Sequence, residues 1–149
     1  MSQSSPPSNS MQSHAFEDLQ LGQRATLSAT VTAADIDAFA RISGDMNPVH
    51  LDQEFAERTP FKGRIAHGML TASYVSAIFG TRLPGPGAIY ISQTLNFRGP
   101  VRIGDVVETM VTVVELYPAK RRARFDCKCV VNGRAVLEGE AMLMVPGRT

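Results

Sequence analysis

From Ile65 to Thr81 the chain carries no Asp, Glu, Lys or Arg. A helix over this stretch is apolar on nearly every side, and such a helix has to be enclosed. The run is too short to cross a bilayer, and it contains His67, Gly68, Thr71, Ser73 and Ser76. It therefore belongs at the centre of a folded domain, starting near Gly68. At 149 residues the chain supports one hydrophobic core, so the remaining segments must wrap this helix.

The wrapping is legible downstream. After Pro84-Gly85-Pro86-Gly87 the hydrophobic period changes to two. Ile89, Ile91, Leu95 and Phe97 share one face, and Tyr90, Ser92, Thr94 and Asn96 take the other. Val106 to Leu116 reads as a long β-branched strand. In the next strand Ala123, Phe125, Cys127, Cys129 and Val131 oppose Arg122, Arg124, Asp126, Lys128 and Asn132. Asn132-Gly133 marks a hairpin. A two-residue loop sets Phe125 against Glu140 and Cys127 against Glu138. A three-residue loop through Arg134 instead pairs Phe125 with Ala141, Cys129 with Leu137, Ala123 with Leu143 and Lys128 with Glu138. Burial of the apolar partners selects the three-residue loop.

Upstream, Arg24 to Val31 alternates like a half-buried strand. Thr32 and Asp35 have the spacing of a capping box ahead of an apolar stripe of Ile36, Phe39 and Ala40, with Gly44 as the stop. A loop is expected next, then a short helix over about Asp52 to Glu57. The order is one strand, helices, then four consecutive strands. A curved antiparallel sheet folded round the apolar helix, an α+β architecture, satisfies both patterns.

Residues 1–15 are mostly small and polar and are expected to form a disordered tail. The domain is expected over residues 16–146, with 147–149 as the end. The N-terminal segment lacks the marks of a secretory or mitochondrial signal. Fifteen basic residues against fourteen acidic ones make a poor footprint for a nucleic-acid binder. Cys127 and Cys129 on one strand face give neither a disulfide framework nor a four-ligand zinc site, and fit a reduced, cytoplasmic setting.

The richest polar cluster is Ser43-Gly44-Asp45-Met46-Asn47-Pro48-Val49-His50. Asn-Pro favours a turn, which can bring Asp45 and His50 to one cleft, where a carboxylate and an imidazole together activate a water. The same residues have an ordinary reading, in which Asp45 follows a helix stop and bonds the local backbone while His50 is merely exposed. In Ala66-His67-Gly68-Met69 a helix begins at a glycine, where free N–H groups attract negative charge. Gly68 has a packing reading as well. A metal site of His50, Asp52 and His67 lacks a spacing that fixes geometry. Lys120-Arg121-Arg122 with Arg124 is the one dense basic patch, fit either for phosphates or for a solvated hairpin end. Ser76, inside the apolar helix, either bonds its own turn or points at the cleft.

"SGDMNPVHLD", "FKGRIAHGMLTASYVS" and "LPGPGAIYISQTLNFRGPVRIGDVV" together resemble the MaoC-like hydratases, and within them the single-domain bacterial (R)-specific enoyl-CoA hydratases. The likeness runs from about Asp35 to Leu116 in unbroken order. It implies the hot-dog fold, in which a sheet wraps a central helix, and a homodimer whose sheets join edge to edge. It implies a hydro-lyase that adds water reversibly to trans-2-enoyl-CoA, giving the (R)-3-hydroxyacyl-CoA, in fatty-acid metabolism or the supply of polyhydroxyalkanoate precursors. By the same resemblance Asp45 and His50 are the catalytic pair, Gly68 holds the thioester oxygen through its backbone N–H, and Ser76 and Asn47 support the site. In the implied reaction Asp45 takes the proton from water and His50 delivers one to C2, although the residues leave the two roles interchangeable. No cofactor and no metal are implied, nor nucleic acid or membrane as partners. Acyl length would be set by side chains such as Leu70, Tyr74, Ile78, Phe79 and Leu83. A dehydratase acting on acyl carrier protein, a thioesterase, and a non-catalytic acyl-thioester-binding module are the alternatives.

Overall fold

The computed structural model describes residues 11–148. A strand β1 (Arg24–Thr30) precedes four helices: α1 (Ala33–Ser43), α2 (Pro48–Leu51), α3 (Gln53–Glu57) and α4 (Gly68–Thr81). The chain continues as strands β2 (Ile89–Gln93), β3 (Asn96–Phe97), β4 (Val106–Tyr117), β5 (Arg122–Val131) and β6 (Arg134–Met144). The six strands form one antiparallel sheet in the order β1-β4-β5-β6-β2, with β3 also on β6. Among the described residues no helix is long and apolar enough to cross a membrane.

The charge-free stretch becomes α4, beginning at Gly68 as its composition requires. Val75, Ile78 and Phe79 of α4 share one buried core with Val107, Val111 and Val113 of β4, Phe125 and Cys129 of β5, and Leu137 and Leu143 of β6. The Phe79 and Phe125 rings meet edge to face at 4.9 Å. Both thiols lie on the inner face of β5, free and buried, and burial pushes the Cys127 thiol up to about 12. Such a thiol stays protonated and inert.

Helix α1 is capped as its sequence dictates. The Asp35 N–H donates to Thr32 Oγ1 at 3.1 Å, the Thr32 N–H donates back to Asp35 Oδ2 at 3.0 Å, and Gly44 closes the helix in the left-handed conformation. Thr32→Ala removes one half of this reciprocal pair and is expected to cost about 1 kcal/mol. Chemical denaturation of the purified protein measures it as a lower midpoint at unchanged slope.

Three expectations needed correction. The β5–β6 hairpin keeps the core pairing of the three-residue loop, Phe125 with Ala141 and Cys129 with Leu137, but its turn is the two-residue Asn132-Gly133. Both turn residues have positive φ, 50° and 77°, which matches the strand twist. A bulge between Cys129 and Val130 absorbs the offset and leaves Val136 unpaired with β5. The segment expected as one strand over Ile89 to Phe97 breaks into β2 and β3. A bulge between Tyr90 and Ser92 ends the two-residue period, so Ile89, Ile91 and Phe97 stay exposed on a sheet edge instead of facing the core.

The third concerns the tail. Residues 1–10 lie outside the described residues, but residues 11–15 are tied down. The Gln12 N–H donates to the Thr81 carbonyl and the His14 N–H to that of Pro84, both at 2.8 Å. The end of a helix leaves carbonyls without partners, and any backbone N–H serves them, whatever its side chain. Composition is blind to that.

Candidate active site

Ser43 Oγ donates to the Phe39 carbonyl at 2.7 Å and accepts the Asp45 N–H at 3.1 Å, fixing the chain as it leaves α1. The Asp45 carboxylate accepts the Asn47 N–H at 3.2 Å. Asn47 then caps α2, accepting the Val49 N–H at 3.1 Å, with Pro48 at the first helical position. The Asn-Pro pair is therefore a helix start where a plain loop was expected. One turn of helix delivers His50 inward, and Asp52 caps α3 through the Phe55 N–H.

His50 is buried and held from three sides. Its Nδ1 lies 2.8 Å from the Ile65 carbonyl oxygen. That oxygen only accepts, so Nδ1 carries the proton and the neutral ring presents a bare lone pair at Nε2. The Arg64 Nε–H donates to the His50 carbonyl at 2.6 Å, and its guanidinium also pairs with Asp37 at 3.0 Å. The His67 ring stacks on that of His50 with centroids 3.9 Å apart and planes inclined by 28°. His67 Nε2 donates to the Asp45 carbonyl at 3.0 Å, so one residue braces both members of the pair. In the sequence His67 reads only as a candidate metal ligand. Its place directly before Gly68, at the foot of a buried helix, was the available signal.

Desolvation dominates the titration of His50 and pushes its pKa below the ordinary histidine value; nearby His67 acts in the same direction, against the Ile65 hydrogen bond and Asp45. The neutral ring therefore persists to lower pH than a free histidine. An activity that uses the Nε2 lone pair is expected to show its acid limb at a pH below about 6.5. A kcat/KM profile from pH 5 to 8 tests this, and an acid limb above that value overturns it. Stability follows the same sign. Below about pH 6.5 the unfolded chain takes up the proton before the folded one does, so stability falls as pH drops into that window.

His50 and Gly68 open on one cavity of about 590 Å³, lined mainly by Phe61, Ile65, Phe97, Val101 and Val136. Gly68 is the first residue of α4, where N–H groups have no carbonyl within the helix. The Phe97 ring packs so closely that a Cβ at Gly68 would come within 2.6 Å of it. A side chain at position 68 would have to displace the Phe97 ring from the cavity wall. Val136 reaches this wall because of the hairpin bulge, and its carbonyl accepts the Arg98 N–H at 2.8 Å.

Asp45 is exposed and lies off the cavity wall, yet one of its carboxylate oxygens is within 4.8 Å of ring nitrogens of His50 and His67. Asn47 stands between the pair as a backbone cap. Ser76, two turns along α4, lines a different cavity of about 500 Å³ together with Phe39, Tyr90 and Gln93. The side chains expected to set acyl length are elsewhere too: Ile78, Phe79 and Leu83 belong to the core, and Tyr74 faces a groove beside α1. A fully apolar helix gives no hint of which face its core claims. Of the basic patch, Arg124 is already paired with Glu115 and Glu140 at 3.0 and 2.9 Å.

The trio Asp45, His50 and His67 is a poor metal cage. A bound ion lies in the plane of each imidazole at about 2.0–2.1 Å. Stacked rings direct their in-plane lone pairs alongside each other instead of toward a common point. Asp52 spends its carboxylate on the α3 cap.

Residues 18–138 match the family model described as MaoC like domain. A 3-hydroxybutyryl-CoA dehydratase from Methylorubrum extorquens is 58% identical over 131 residues, covering 88% of this chain and 83% of that protein. An (R)-specific enoyl-CoA hydratase from Rhodospirillum rubrum is 53% identical, covering 91% and 94%. The solved structure of an R-hydratase from Pseudomonas aeruginosa superposes with a TM-score of 0.88 at 42% identity, covering 93% of this chain and 89% of that one. A sheet wrapped round one buried helix, the Asp45–His50 pair beside a helix-initial glycine, and these likenesses agree: the chain belongs to the MaoC-like hydratase family, with the hot-dog fold.

Proposed function

We propose that the protein is an (R)-specific 2-enoyl-CoA hydratase, a hydro-lyase that adds water reversibly across the double bond of trans-2-enoyl-CoA. The observation that carries this is the bare Nε2 of buried His50, next to Asp45, opening on the same cavity as the Gly68 N–H. Relatives above 50% identity carry the hydratase and dehydratase names, which are two directions of one reaction. The R configuration rests on the name of the Rhodospirillum rubrum relative.

In the proposed reaction the thioester oxygen lies at the N-terminus of α4, where the Gly68 N–H and the helix dipole stabilise the enolate charge. Water attacks C3. Because Nδ1 is committed to the Ile65 carbonyl, the water proton passes to His50 Nε2, and Asp45 stabilises the imidazolium. The His50–Asp45 pair then returns a proton to C2. Hydroxyl at C3 and hydrogen at C2 together account for the water. These roles reverse the simplest assignment from sequence, which made Asp45 the acceptor. Asn47 supports by capping α2, and Ser76 lines the second cavity.

Loss of the conjugated-thioester absorbance of crotonyl-CoA tests the reading directly. Rapid loss without release of free thiol is expected. Thiol release would identify a thioesterase, and no change with short and long enoyl-CoA would leave a binding module. We further propose a homodimer. The free edge of β2 exposes Ile89, Tyr90 and Ile91, each more than two-fifths accessible, and an apolar unpaired edge invites a second strand. Sedimentation velocity is expected to give twice the chain mass.

A further inference from the structure

The mouth of the His50 cavity carries its own basic group, far from the patch evident in the sequence. Arg98 lies on the cavity wall and is paired with Glu138 at 3.0 Å, with both side chains substantially exposed. Arg134 packs over Gly99, another wall residue, its Nε 3.9 Å from where a Cβ would stand. On the other side, the Arg102 guanidinium lies over Gly63, 3.7 Å from the corresponding point, between the wall residues Phe61 and Ile65 in sequence. Among the described residues neither Arg102 nor Arg134 forms an ion pair. Asp105 accepts the Arg102 backbone N–H at 2.8 Å but forms no ion pair with its guanidinium.

Two uncommitted guanidiniums at the rim of a mainly apolar cavity define a ligand with two ends. One end is an uncharged chain that reaches in toward Gly68. The other is anionic and stays in solvent, where planar N–H forks match phosphate oxygens well. The Lys120–Arg122 patch cannot serve this cavity within one chain. It lies at the far end of the β5–β6 hairpin, about 30 Å along the strands from Arg134.

We propose that Arg102 and Arg134, with Arg98 on the wall between cavity and solvent, bind the phosphates at the nucleotide end of the coenzyme A carrier. This rests on the enoyl-CoA hydratase reading and extends it to the carrier. It makes the enzyme selective for coenzyme A over carriers that present the pantetheine arm without the adenosine phosphates.

Calorimetric titration of the full chain with adenosine 3′,5′-bisphosphate tests it without relying on turnover. The wild type is expected to bind. Arg102→Gln/Arg134→Gln is expected to weaken binding by roughly 10- to 100-fold, the range of charge-assisted hydrogen bonds. Arg102→Lys/Arg134→Lys should recover part of the loss, and Lys120→Gln/Arg121→Gln should leave affinity unchanged, with thermal melting confirming that each variant is folded. No binding by wild type, equal affinity in the Gln variant, or loss in the Lys120/Arg121 variant overturns the proposal. Crotonyl-pantetheine, which lacks the phosphates, separates the two readings. Its hydration by wild type alongside unchanged nucleotide affinity in the Gln variant sinks the arginine site alone, whereas tight nucleotide binding with no hydration of either thioester sinks the hydratase reading.

Discussion

Asp45→Asn is expected to lower kcat for crotonyl-CoA hydration by about 10²–10⁴ while leaving the fold in place. The substitution is nearly isosteric. Asn Oδ1 still accepts the Asn47 N–H, and the backbone carbonyl at position 45 still receives His67 Nε2. What disappears is a carboxylate within 4.8 Å of His50, the group that in the proposed reaction stabilises the imidazolium. The loss therefore belongs in kcat, with KM little moved, since the cavity wall does not include Asp45. Initial rates over a range of substrate concentrations separate the two parameters. Near-normal kcat would remove Asp45 from the chemistry.

The second large effect is on stability, at Gly139 of β6. A Cβ there would lie 1.9 Å from the Thr94 carbonyl oxygen and 2.8 Å from its carbon. These are backbone atoms, so no side-chain rotation relieves the clash. Thr94 is fastened to the same place, its N–H donating to the Glu140 carbonyl at 2.8 Å and its Oγ1 accepting the Glu140 N–H at 2.9 Å. Gly139→Ala must push the β2–β3 link off the sheet, at a cost of roughly 1–3 kcal/mol. A melting temperature lower by several degrees is the expected readout, and an unchanged one would mean that the link yields freely. The link continues into Phe97 and Arg98 on the cavity wall, so catalytic loss is expected alongside.

How much of this was legible in the sequence differs by element and has physical reasons. The buried helix was evident because seventeen consecutive uncharged positions, Ile65 to Thr81, leave few other fates. The core pairing of β5 with β6 was evident because a one-residue slip would bury Glu138 and Glu140. Bulges were not evident. They add one residue to one strand, and nothing at Ile91 or Val136 marks the extra position in the local pattern. The candidate pair Asp45 and His50 stood out through its motif, whereas its supports did not. The Ile65 carbonyl that fixes the His50 tautomer is a backbone atom fifteen residues away, carrying no side-chain signal at all. Arg64, which clamps the His50 carbonyl, reads in sequence as one more surface arginine.

The strand order has a kinetic consequence. Strands β4, β5 and β6 are joined by short connections and pair with their sequence neighbours, so they can assemble early. Strand β1 reaches its partner β4 only by closing a loop that contains every helix, and loop closure of that length is slow. Asp45, His50 and Gly68 all lie inside that loop. During refolding, sheet signal in circular dichroism should therefore appear before hydratase activity. On mild destabilisation, departure of β1 from the sheet edge should silence the enzyme while most of its strands are still paired.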